Sequence, residues 1–354
     1  MIDKFWCNKK VVVTGGGGFK GRWLVEALAV LEAHVMVIDA FNANGMDSNL
    51  VRRWSSLSVS FREFDIRDLA NLKASFAEFQ PDIVFHLAAQ PLVSVGHLEP
   101  LETFDVNVMG TLNVFQACCS VNRVRSVINV TSDKCYLNRD QDQFFNEVDC
   151  LGGDDPYGGS KACAEIVAFS VSEALFRPNN IRVGNCRAGN VIGGGDFGLH
   201  RLVPDLVRSI ESGEILKVRN LDAIRPWQFV GDLIIGYLQF AKDLFTQAGP
   251  PVEAMNFSSQ RINKNVQSVV NEFKKHFPSL DYCLESKLYF KEKNFLSIDP
   301  SLAEKRLGWV SLSTFEEAVN LTSEWYKCYL SDGNVDELTR EQLIGCIERH
   351  MASE

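Results

Sequence analysis

Short apolar runs rich in valine and isoleucine alternate with longer amphipathic stretches through the first half of the chain. The apolar runs predict strands at residues 10–13, 33–38, 59–64, 83–87, 126–131 and 181–187. Apolar residues at helical spacing predict helices between them, at residues 22–31, 69–79, 102–121 and 156–176, with a shorter one ending near residue 57. Strands that alternate with helices favour an α/β fold with a doubly wound parallel sheet.

The strand–helix alternation stops near residue 195 in this pattern. Beyond it we predict a short strand at 215–218 and a series of helices, at 202–212, 232–244, 265–277, 301–307, 314–330 and 337–351. We therefore predict a Rossmann domain over residues 1–190 and a smaller C-terminal α/β lobe over residues 191–354, with interleaved segments and a helical tail. Such a lobe would close over the carboxyl ends of the strands, where open α/β sheets bind ligands.

Glycines follow the first predicted strand at a spacing that suits a dinucleotide. Gly15 permits a tight turn, Gly18 lets a pyrophosphate approach the backbone, and Gly21 lets the next helix pack closely. The second strand ends in Asp39, where a carboxylate would bind the adenosine ribose and repel a 2′-phosphate, so we predict NAD as the cofactor. A plain glycine turn and an ordinary strand-end aspartate are the alternatives.

Composition narrows the class of protein further. The chain has 354 residues, is 46% hydrophobic and 23% charged, and carries a net charge of -9, which suits a soluble enzyme and argues against binding to nucleic acid or an anionic membrane. No segment resembles a signal peptide or a membrane span, so we expect a cytoplasmic protein. The ten cysteines are scattered without a CxxC pair, which predicts reduced, mostly buried thiols and no metal site.

A tyrosine and a lysine share one face of the helix that Pro156 opens. Tyr157 and Lys161 are four residues apart, and a nearby ammonium favours the phenolate form of a phenol. Tyr157 could therefore take a proton from a sugar hydroxyl while hydride leaves the same carbon for NAD.

Other strand ends supply further candidates. Asp65 could contact adenine, although Asp68 could instead cap the next helix and leave Asp65 merely exposed. His86 reads as a packed core histidine within its apolar run. Asn107 could brace the site from the middle of a helix, with a surface asparagine as the alternative. The irregular stretch 138–155 is long enough to be functional.

Several strings together resemble a known family: TGGGGFKG, HLAAQPLV, NVTSDKCY, DDPYGGSKACAE, RAGNVIGGGD and RNLDAIRPWQFV. They are similar to the extended short-chain dehydrogenase/reductase family, in its nucleotide-sugar branch, and within that branch to the dehydratases that act on CDP-glucose. The resemblance covers roughly residues 5–330. It implies bound NAD that is reduced and reoxidised in each cycle, and the conversion of the sugar to a 4-keto-6-deoxy product.

The resemblance also implies roles for individual residues. Tyr157 would deprotonate the hydroxyl on carbon 4, Ser132 would hydrogen-bond that oxygen, and Asp133 would protonate the hydroxyl leaving carbon 6. Related dehydratases often place glutamate next as the base for carbon 5, but this chain has Lys134, so the assignment of Lys134 as that base is a hypothesis. The full set of predicted cofactor-binding residues is Gly15, Gly18, Phe19, Lys20, Gly21, Asp39, Asp65, Ile66, Leu87, Ala88, Ala89, Gln90, Asn107, Thr131, Tyr157 and Lys161.

An acidic protein needs local cations to hold a nucleotide sugar. Arg225-Pro226-Trp227 resembles the family's phosphate-gripping segment, with surface arginines and an exposed tryptophan as the alternative. Arg208 is expected to face solvent. The predicted substrate-binding residues are Ser132, Arg187, Asn190, Leu202, Val203, Arg219, Arg225 and Trp227. This family often pairs through two helices, here at 101–121 and 162–176, so we expect a homodimer or homotetramer.

Three competing functions remain at this point. A 4-epimerase would share Tyr157 and Lys161 but has no use for Asp133 and Lys134. A dehydratase of another nucleotide sugar would differ only in contacts that the sequence does not place. A dinucleotide-sensing module without catalysis would usually lack the tyrosine–lysine pair.

Overall fold

The computed structural model describes residues 4–40, 48–259, 264–285 and 295–353. A seven-stranded, fully parallel sheet lies at its centre, flanked by helices on both faces. The strands within the described ranges are β1 (Lys10–Thr14), β2 (His34–Asp39), β3 (Ser60–Glu63), β4 (Ile83–His86), β5 (Ser126–Val130), β6 (Phe144–Phe145), β7 (Arg182–Ala188), β8 (Val191–Ile192), β9 (Leu216–Val218), β10 (Ile224–Arg225), β11 (Gln228–Phe229), β12 (Val252–Phe257), β13 (Lys264–Asn265), β14 (Tyr282–Leu284) and β15 (Ser297–Ile298).

The large sheet has the order β12-β7-β5-β4-β1-β2-β3. Chain order runs outward from β1 in one direction through β2 and β3, and from β4 in the other, so the switch point lies between β1 and β4. Ligands of open α/β sheets bind outside the carboxyl ends of the strands at this point. The doubly wound fold predicted from the apolar runs is confirmed.

The prediction that the strand–helix alternation stops near residue 195 needs a correction. Strand β12 pairs in parallel with β7, Val252 beside Val183 through Phe257 beside Ala188, and therefore completes the large sheet. The alternation does not stop near residue 195, because one more helix and strand return to the first domain. The remaining lobe contains short pairs of strands: β8 with β11, β9 with β14, β10 with β13, and β6 with β15.

The helices agree with the predicted pattern except near their ends and at α4, which was not predicted. They are α1 (Phe19–Val30), α2 (Ser48–Ser56), α3 (Leu69–Phe79), α4 (Val93–Leu98), α5 (Pro100–Phe104), α6 (Thr111–Cys119), α7 (Pro156–Val171), α8 (Leu202–Ser212), α9 (Val230–Thr246), α10 (Val266–His276), α11 (Ser301–Leu307), α12 (Phe315–Leu330) and α13 (Val335–Ser353). The helix predicted at 102–121 is three pieces, because a π-helical segment, Asp105–Gly110, joins α5 to α6. A second π-helical segment, Ser172–Phe176, follows α7.

Two apolar cores cover the two faces of the sheet. Along β1, Val11 and Val13 belong to one core and Val12 to the other, all fully buried. This near-continuous apolar strand is typical of a parallel sheet covered on both sides. Among the described helices, none combines the length and apolar character needed to cross a bilayer.

The ten cysteines are all free thiols. Four of them are buried, Cys118, Cys135, Cys186 and Cys346, whereas the others are half-buried or exposed. The expectation of mostly buried thiols therefore holds only for the cysteines that lie in or beside the cores.

Candidate active site

The glycine turn is shaped by close backbone contacts. Gly15 has a φ of +72°, and a Cβ there would lie 2.5 Å from the Ala88 nitrogen. A Cβ at Gly21 would lie 2.2 Å from the Gly15 oxygen. Gly18 precedes α1, and the nearest atom to a Cβ there is 3.4 Å away. The turn is thus closed toward the protein and open at Gly18, a geometry that fits an approaching phosphate.

Asp39, the last residue of β2, faces the glycine turn. Its carboxylate accepts a hydrogen bond from the Gly17 nitrogen at 2.7 Å. Burial raises the pKa of Asp39, and the hydrogen bond from Gly17 opposes this effect. The carboxylate is therefore fixed beside the turn, in a position that suits a ribose diol.

Asp65 is held by an arginine that the sequence did not single out. The Arg67 guanidinium donates to Asp65 at 2.7 and 3.0 Å, and also to Glu102 and Asp105. These contacts lower the pKa of Asp65. Asp68 caps α3 by accepting from the Asn71 nitrogen, as the alternative proposed. An adenine contact by Asp65 stays a prediction.

The neighbouring segments that line the cofactor side are partly exposed. Leu87, Ala88, Ala89 and Gln90 follow β4 and are half-buried at the carboxyl edge of the sheet. Ile66 is buried and packs where a Cβ at Gly110 would otherwise lie, 2.5 Å from its Cδ1. Phe19 opens α1 beside them. Placement of this set at one edge agrees with the predicted cofactor side.

Tyr157 and Lys161 lie in the first turns of α7, whose N-terminus is capped by Asp155 through the Gly158 nitrogen at 3.0 Å. Both side chains are buried, with 9% and 7% of their surface exposed. The Lys161 ammonium donates to the Val130 oxygen at 3.0 Å. Burial lowers the pKa of Lys161 to about 8, and the charge of Lys20 adds to that effect.

The expected direction of the pKa shift of Tyr157 needs a correction. Burial raises the pKa of Tyr157 to about 12, although a hydrogen bond with Ser132 and the charge of Arg201 act in the opposite direction. In the protein alone, desolvation of the phenolate outweighs the nearby cations. A phenolate at this position therefore needs additional positive charge.

The segment after β5 forms a short 3₁₀ turn, Asp133–Cys135. Ser132 donates to Asp133 Oδ1 at 3.0 Å and accepts from the Lys134 nitrogen. Asp133 is 3% exposed, and no group among the described residues forms a hydrogen bond with its Oδ2. Buried polar atoms in native proteins are nearly always paired, so this oxygen fits a polar group of a ligand. Lys134 is half-buried beside it in the chain.

The smaller lobe reaches this turn through Pro226. A Cβ at Gly189 would lie 2.4 Å from Pro226 Cγ and 3.4 Å from Asp133 Oδ2. The adjacent Arg225 and Trp227 are buried, with the Trp227 indole donating to the Lys264 oxygen at 3.0 Å. The alternative of an exposed tryptophan is thus excluded. Arg225 donates to the Ile224 oxygen at 2.7 Å.

The other predicted substrate residues lie between β7 and β10. The Gln228 nitrogen donates to the Asn190 oxygen at 3.0 Å, and Asn190 is half-buried. Leu202 and Val203 open α8. Arg219 donates to the His200 oxygen at 3.1 Å. Arg208 pairs with Asp205 and donates to the Gly198 oxygen, so it is not merely solvated.

Two predicted contact residues face inward instead. Arg187 is 3% exposed and pairs with Glu165, while also donating to the Tyr136 hydroxyl at 2.8 Å. The Thr131 hydroxyl donates to Glu165 at 2.6 Å. Neither side chain has its polar group free for substrate or cofactor, because the buried Glu165 carboxylate needs both donors.

Arg201 is a site residue that sequence reasoning missed. It precedes α8, pairs with Asp196 at 3.0 Å, and its charge acts on both Tyr157 and Lys20. Lys20 is also influenced by Asp133, and burial lowers the pKa of Lys20 to about 8. The sequence offers one signal for Arg201, which is its position between a glycine-rich strand end and a helix.

Comparison with known proteins finds similarity to dehydratases that act on nucleotide sugars. The family model described as GDP-mannose 4,6 dehydratase matches residues 12–322. The CDP-glucose 4,6-dehydratase of Salmonella typhimurium is 38% identical over 340 residues, covering 93% of this chain and 94% of that protein. A dTDP-glucose 4,6-dehydratase of Neisseria gonorrhoeae is 26% identical, covering 95% of this chain and 98% of that protein.

Solved structures share the fold at lower identity. A UDP-glucose 4-epimerase of Stenotrophomonas maltophila, with bound NAD, superposes with a TM-score of 0.81 at 20% identity over 92% of this chain and all of that one. A dTDP-glucose 4,6-dehydratase of Bacillus anthracis, in complex with NAD, gives 0.74 at 20% identity over 90% of this chain and 96% of that one. With the family model covering most of its length, this chain belongs to the GDP-mannose 4,6 dehydratase family, in the nucleotide-sugar branch of the extended short-chain dehydrogenases/reductases.

Proposed function

We propose that the protein dehydrates CDP-D-glucose to CDP-4-dehydro-6-deoxy-D-glucose. The observation that carries this proposal is the buried Asp133 Oδ2, for which the described part of the chain supplies no hydrogen-bond partner. An epimerase needs no proton donor at this position, whereas a dehydratase must protonate a departing hydroxyl. The identity of 38% to a CDP-glucose 4,6-dehydratase, against 26% or less to the other dehydratases compared, supports CDP-glucose as the substrate.

The cofactor side of the cleft fits NAD. Gly15, Gly18 and Gly21 would admit the pyrophosphate, and Asp39 would bind the adenosine ribose. Bound NAD supplies a positively charged hydride acceptor beside the sugar and returns the hydride later. Phe19, Lys20, Ile66 and residues 87–90 would complete the binding surface.

Tyr157 takes the proton from the hydroxyl on carbon 4. Its raised pKa keeps the phenol protonated until positive charge gathers around it, and Arg201 supplies part of that charge, with Lys161 as the proposed further cation. Ser132 hydrogen-bonds the same sugar oxygen. Because Tyr157 is buried, the proton moves without bulk water in the site.

Asp133 gives its proton to the hydroxyl that leaves carbon 6. The 4-keto group acidifies the proton on carbon 5, and Lys134 is the proposed base for it. A Lys134→Ala variant should lose exchange of the carbon 5 proton with solvent while still forming NADH on the enzyme. Exchange at the wild-type rate would remove Lys134 from this role.

Cations of the smaller lobe bind the pyrophosphate of the substrate. Arg219 and Arg225 remain the proposed ligands, and Arg201 joins them because it lies near Tyr157 and Lys20. Asn190, Leu202, Val203 and Trp227 would contact the nucleotide or sugar. Arg187 positions the site from behind, because its guanidinium is already paired with Glu165.

The partner we propose is a second copy of this chain. Large apolar side chains lie exposed on α5 and α7: Leu101 is 87%, Ile166 56% and Phe169 59% exposed. Apolar area of this size on two adjacent helices favours a homodimer, or a homotetramer built from it. We place the protein in the cytoplasm.

The test is turnover of four nucleotide sugars, CDP-, dTDP-, UDP- and GDP-glucose, by the purified protein supplied with NAD. We expect a 4-keto product, seen by its ultraviolet absorbance in alkali, from CDP-glucose. Asp133→Asn should slow this by about 10²–10⁴-fold, whereas the exposed Asp336→Asn should not. A galactose epimer in place of the keto product would favour the epimerase.

A further inference from the structure

A continuous row of neutral hydrogen-bonding groups runs through the interior between the catalytic helix and the glycine turn. We call it the neutral chain, and its side chains are Thr14, His86, Thr111, Asn107 and Ser160. Each of these side chains is at most 3% exposed. The neutral chain joins α7, the π-helical segment before α6, β4 and β1.

The two ends of the neutral chain lie in the active site. At one end the Ala88 nitrogen, on the cofactor edge of β4, donates to the Thr14 hydroxyl at 3.4 Å. Thr14 directly precedes the turn at Gly15. At the other end Ser160 donates to the backbone carbonyl oxygen of Tyr157 at 2.7 Å and lies one residue before Lys161. The neutral chain therefore connects the backbone at the cofactor edge of the sheet to the backbone of the helical turn that carries Tyr157 and Lys161.

The directions of the bonds follow from the number of protons that each group can donate. The Thr111 hydroxyl donates its single proton to the backbone carbonyl oxygen of Asn107 at 2.6 Å. His86 Nε2, 3.0 Å from that hydroxyl, must then be the donor. Thr14 accepts from the Ala88 nitrogen and gives its own proton to His86 Nδ1 at 2.7 Å.

Asn107 joins the two halves of the row, because its backbone oxygen accepts from Thr111 and its side-chain amide makes the remaining contacts. Its Oδ1 accepts from the Gln90 nitrogen at 2.8 Å, and its Nδ2 donates to the Gln90 oxygen and to Ser160 Oγ at 2.9 Å. Ser160 has only one proton, which goes to the Tyr157 oxygen, so it must accept from Asn107. With neutral His86 carrying its proton on Nε2, every donor in this row has an acceptor.

We propose that the neutral chain is a positioning device, which sets the distance between the catalytic helix α7 and the cofactor edge of the sheet. Thr14, His86, Thr111 and Ser160 are positioning residues for hydride transfer, because none of them touches a reacting atom. This proposal rests on the proposed NAD-dependent dehydration. A displacement of about 1 Å between reacting groups costs about 10²-fold in rate, so a fixed spacing has a catalytic use.

The experiment uses Thr111, because the chain contains a matched control. The Thr322 hydroxyl, in α12, also donates to the carbonyl four residues earlier, at 2.7 Å, and its side chain is fully buried. Thr111→Val and Thr322→Val thus remove the same hydroxyl from the same local setting. Thr111→Ser keeps the hydroxyl and serves as the rescue.

Two quantities are measured: the affinity of the cofactor-free protein for NAD, by calorimetry, and the single-turnover rate of NADH formation with CDP-glucose. For Thr111→Val we expect both to fall by about tenfold or more. Thr111→Ser and Thr322→Val should stay within about twofold of wild type in both, even where thermal stability drops. Equal behaviour of the two valine variants, or failure of Thr111→Ser to restore function, would overturn the proposal.

Ser160→Ala decides the matter if Thr111→Val does not fold, since it removes one hydroxyl at the other end of the neutral chain. Slower NADH formation supports the proposal, and wild-type NAD affinity together with a wild-type rate overturns it. If the wild-type protein turns over no nucleotide sugar, the proposed dehydration fails, but the NAD affinities of the variants still test the neutral chain.

Discussion

Helix α7 is held on two sides by buried polar groups of different kinds. On one side lies the neutral chain, which ends at Ser160 and whose members carry no charge. On the other side Glu165 pairs with Arg187, which also donates to the Tyr136 hydroxyl and to the Glu147 oxygen. We call the second group the ionic cluster, and it comprises Glu165, Arg187, Thr131, Tyr136 and Glu147.

The two groups differ in what the loss of one member leaves behind. A broken ion pair in the interior leaves an unpaired charge, which costs far more than an unpaired hydroxyl or imidazole. The ionic cluster also contains Thr131, next to Ser132, and so anchors the catalytic turn to α7 and β7. We infer that the ionic cluster secures the fold around the site, whereas the neutral chain adjusts the spacing within it.

The largest effect should follow Glu165→Gln, which leaves the Arg187 charge buried without a carboxylate. We expect the free energy of unfolding, measured with urea at pH 7, to fall by about 3–5 kcal/mol. The control is Glu173→Gln, whose partner Arg177 is 60% exposed, and which should change stability by less than about 0.5 kcal/mol. Equal losses for the two variants would show that the ionic cluster contributes no more than a surface pair.

A methyl group at Gly15, the residue after Thr14, tests how tightly the glycine turn packs beside the neutral chain. Both Gly15 and Gly213 have positive φ, at +72° and +71°, but nothing lies within 4 Å of a Cβ at Gly213. Gly213→Ala therefore measures backbone strain alone, about 1 kcal/mol. Gly15→Ala should lower the free energy of unfolding by about 2 kcal/mol more than Gly213→Ala does, because its Cβ meets the Ala88 backbone.

The same variant should also bind NAD poorly, since the turn cannot shift without moving Ala88. Urea unfolding and calorimetric titration with NAD measure the two effects. A Gly15→Ala protein as stable as Gly213→Ala, with normal NAD affinity, would contradict the close contact between this turn and β4.

The smallest effect is a pH dependence of stability that arises from His86, a member of the neutral chain. Burial lowers the pKa of His86 to about 3, and the Lys161 charge adds to this. Since the unfolded chain protonates this histidine near pH 6.5, stability is lost as pH falls from about 6.5 toward 3. Between pH 7 and pH 5 the wild type should lose about 2 kcal/mol more than His86→Gln.

Urea unfolding at the two pH values gives this difference directly, because carboxylates titrate in both proteins and cancel. An equal loss in the wild type and in His86→Gln would mean that His86 is charged in the folded state. That result would also break the fixed direction of hydrogen bonds along the neutral chain.

Much of the sheet could be predicted because local patterning determines it. Helices 69–79, 202–212 and 301–307 have the predicted bounds, and Asp68 caps the first of them as one alternative foresaw. Strand β12 was missed for a physical reason. Glu253 pairs with Arg182 and Arg306, and Asn256 accepts from the Tyr136 hydroxyl, so two polar residues interrupt an apolar run while being satisfied by distant partners.

The candidate site also contains residues that local patterns identify and residues that depend on distant partners. Tyr157 and Lys161 could be found from their spacing on one helix, whereas Asp133 was identified through the family resemblance of the segment after β5. Arg187 was assigned to the substrate because strand ends face the cleft, but Glu165, on another element, takes its charge. Arg201 has no local pattern, and only its position near Tyr157 and Lys20 in the structure reveals it.

The late position of β12 affects how the protein is made. A chain that has left the ribosome only as far as residue 250 lacks the strand that covers β7, so the backbone groups along that border have no neighbour. Synthesis must therefore proceed past residue 257 before the nascent chain can complete its sheet. During that interval β7 offers a free border to which other chains can add.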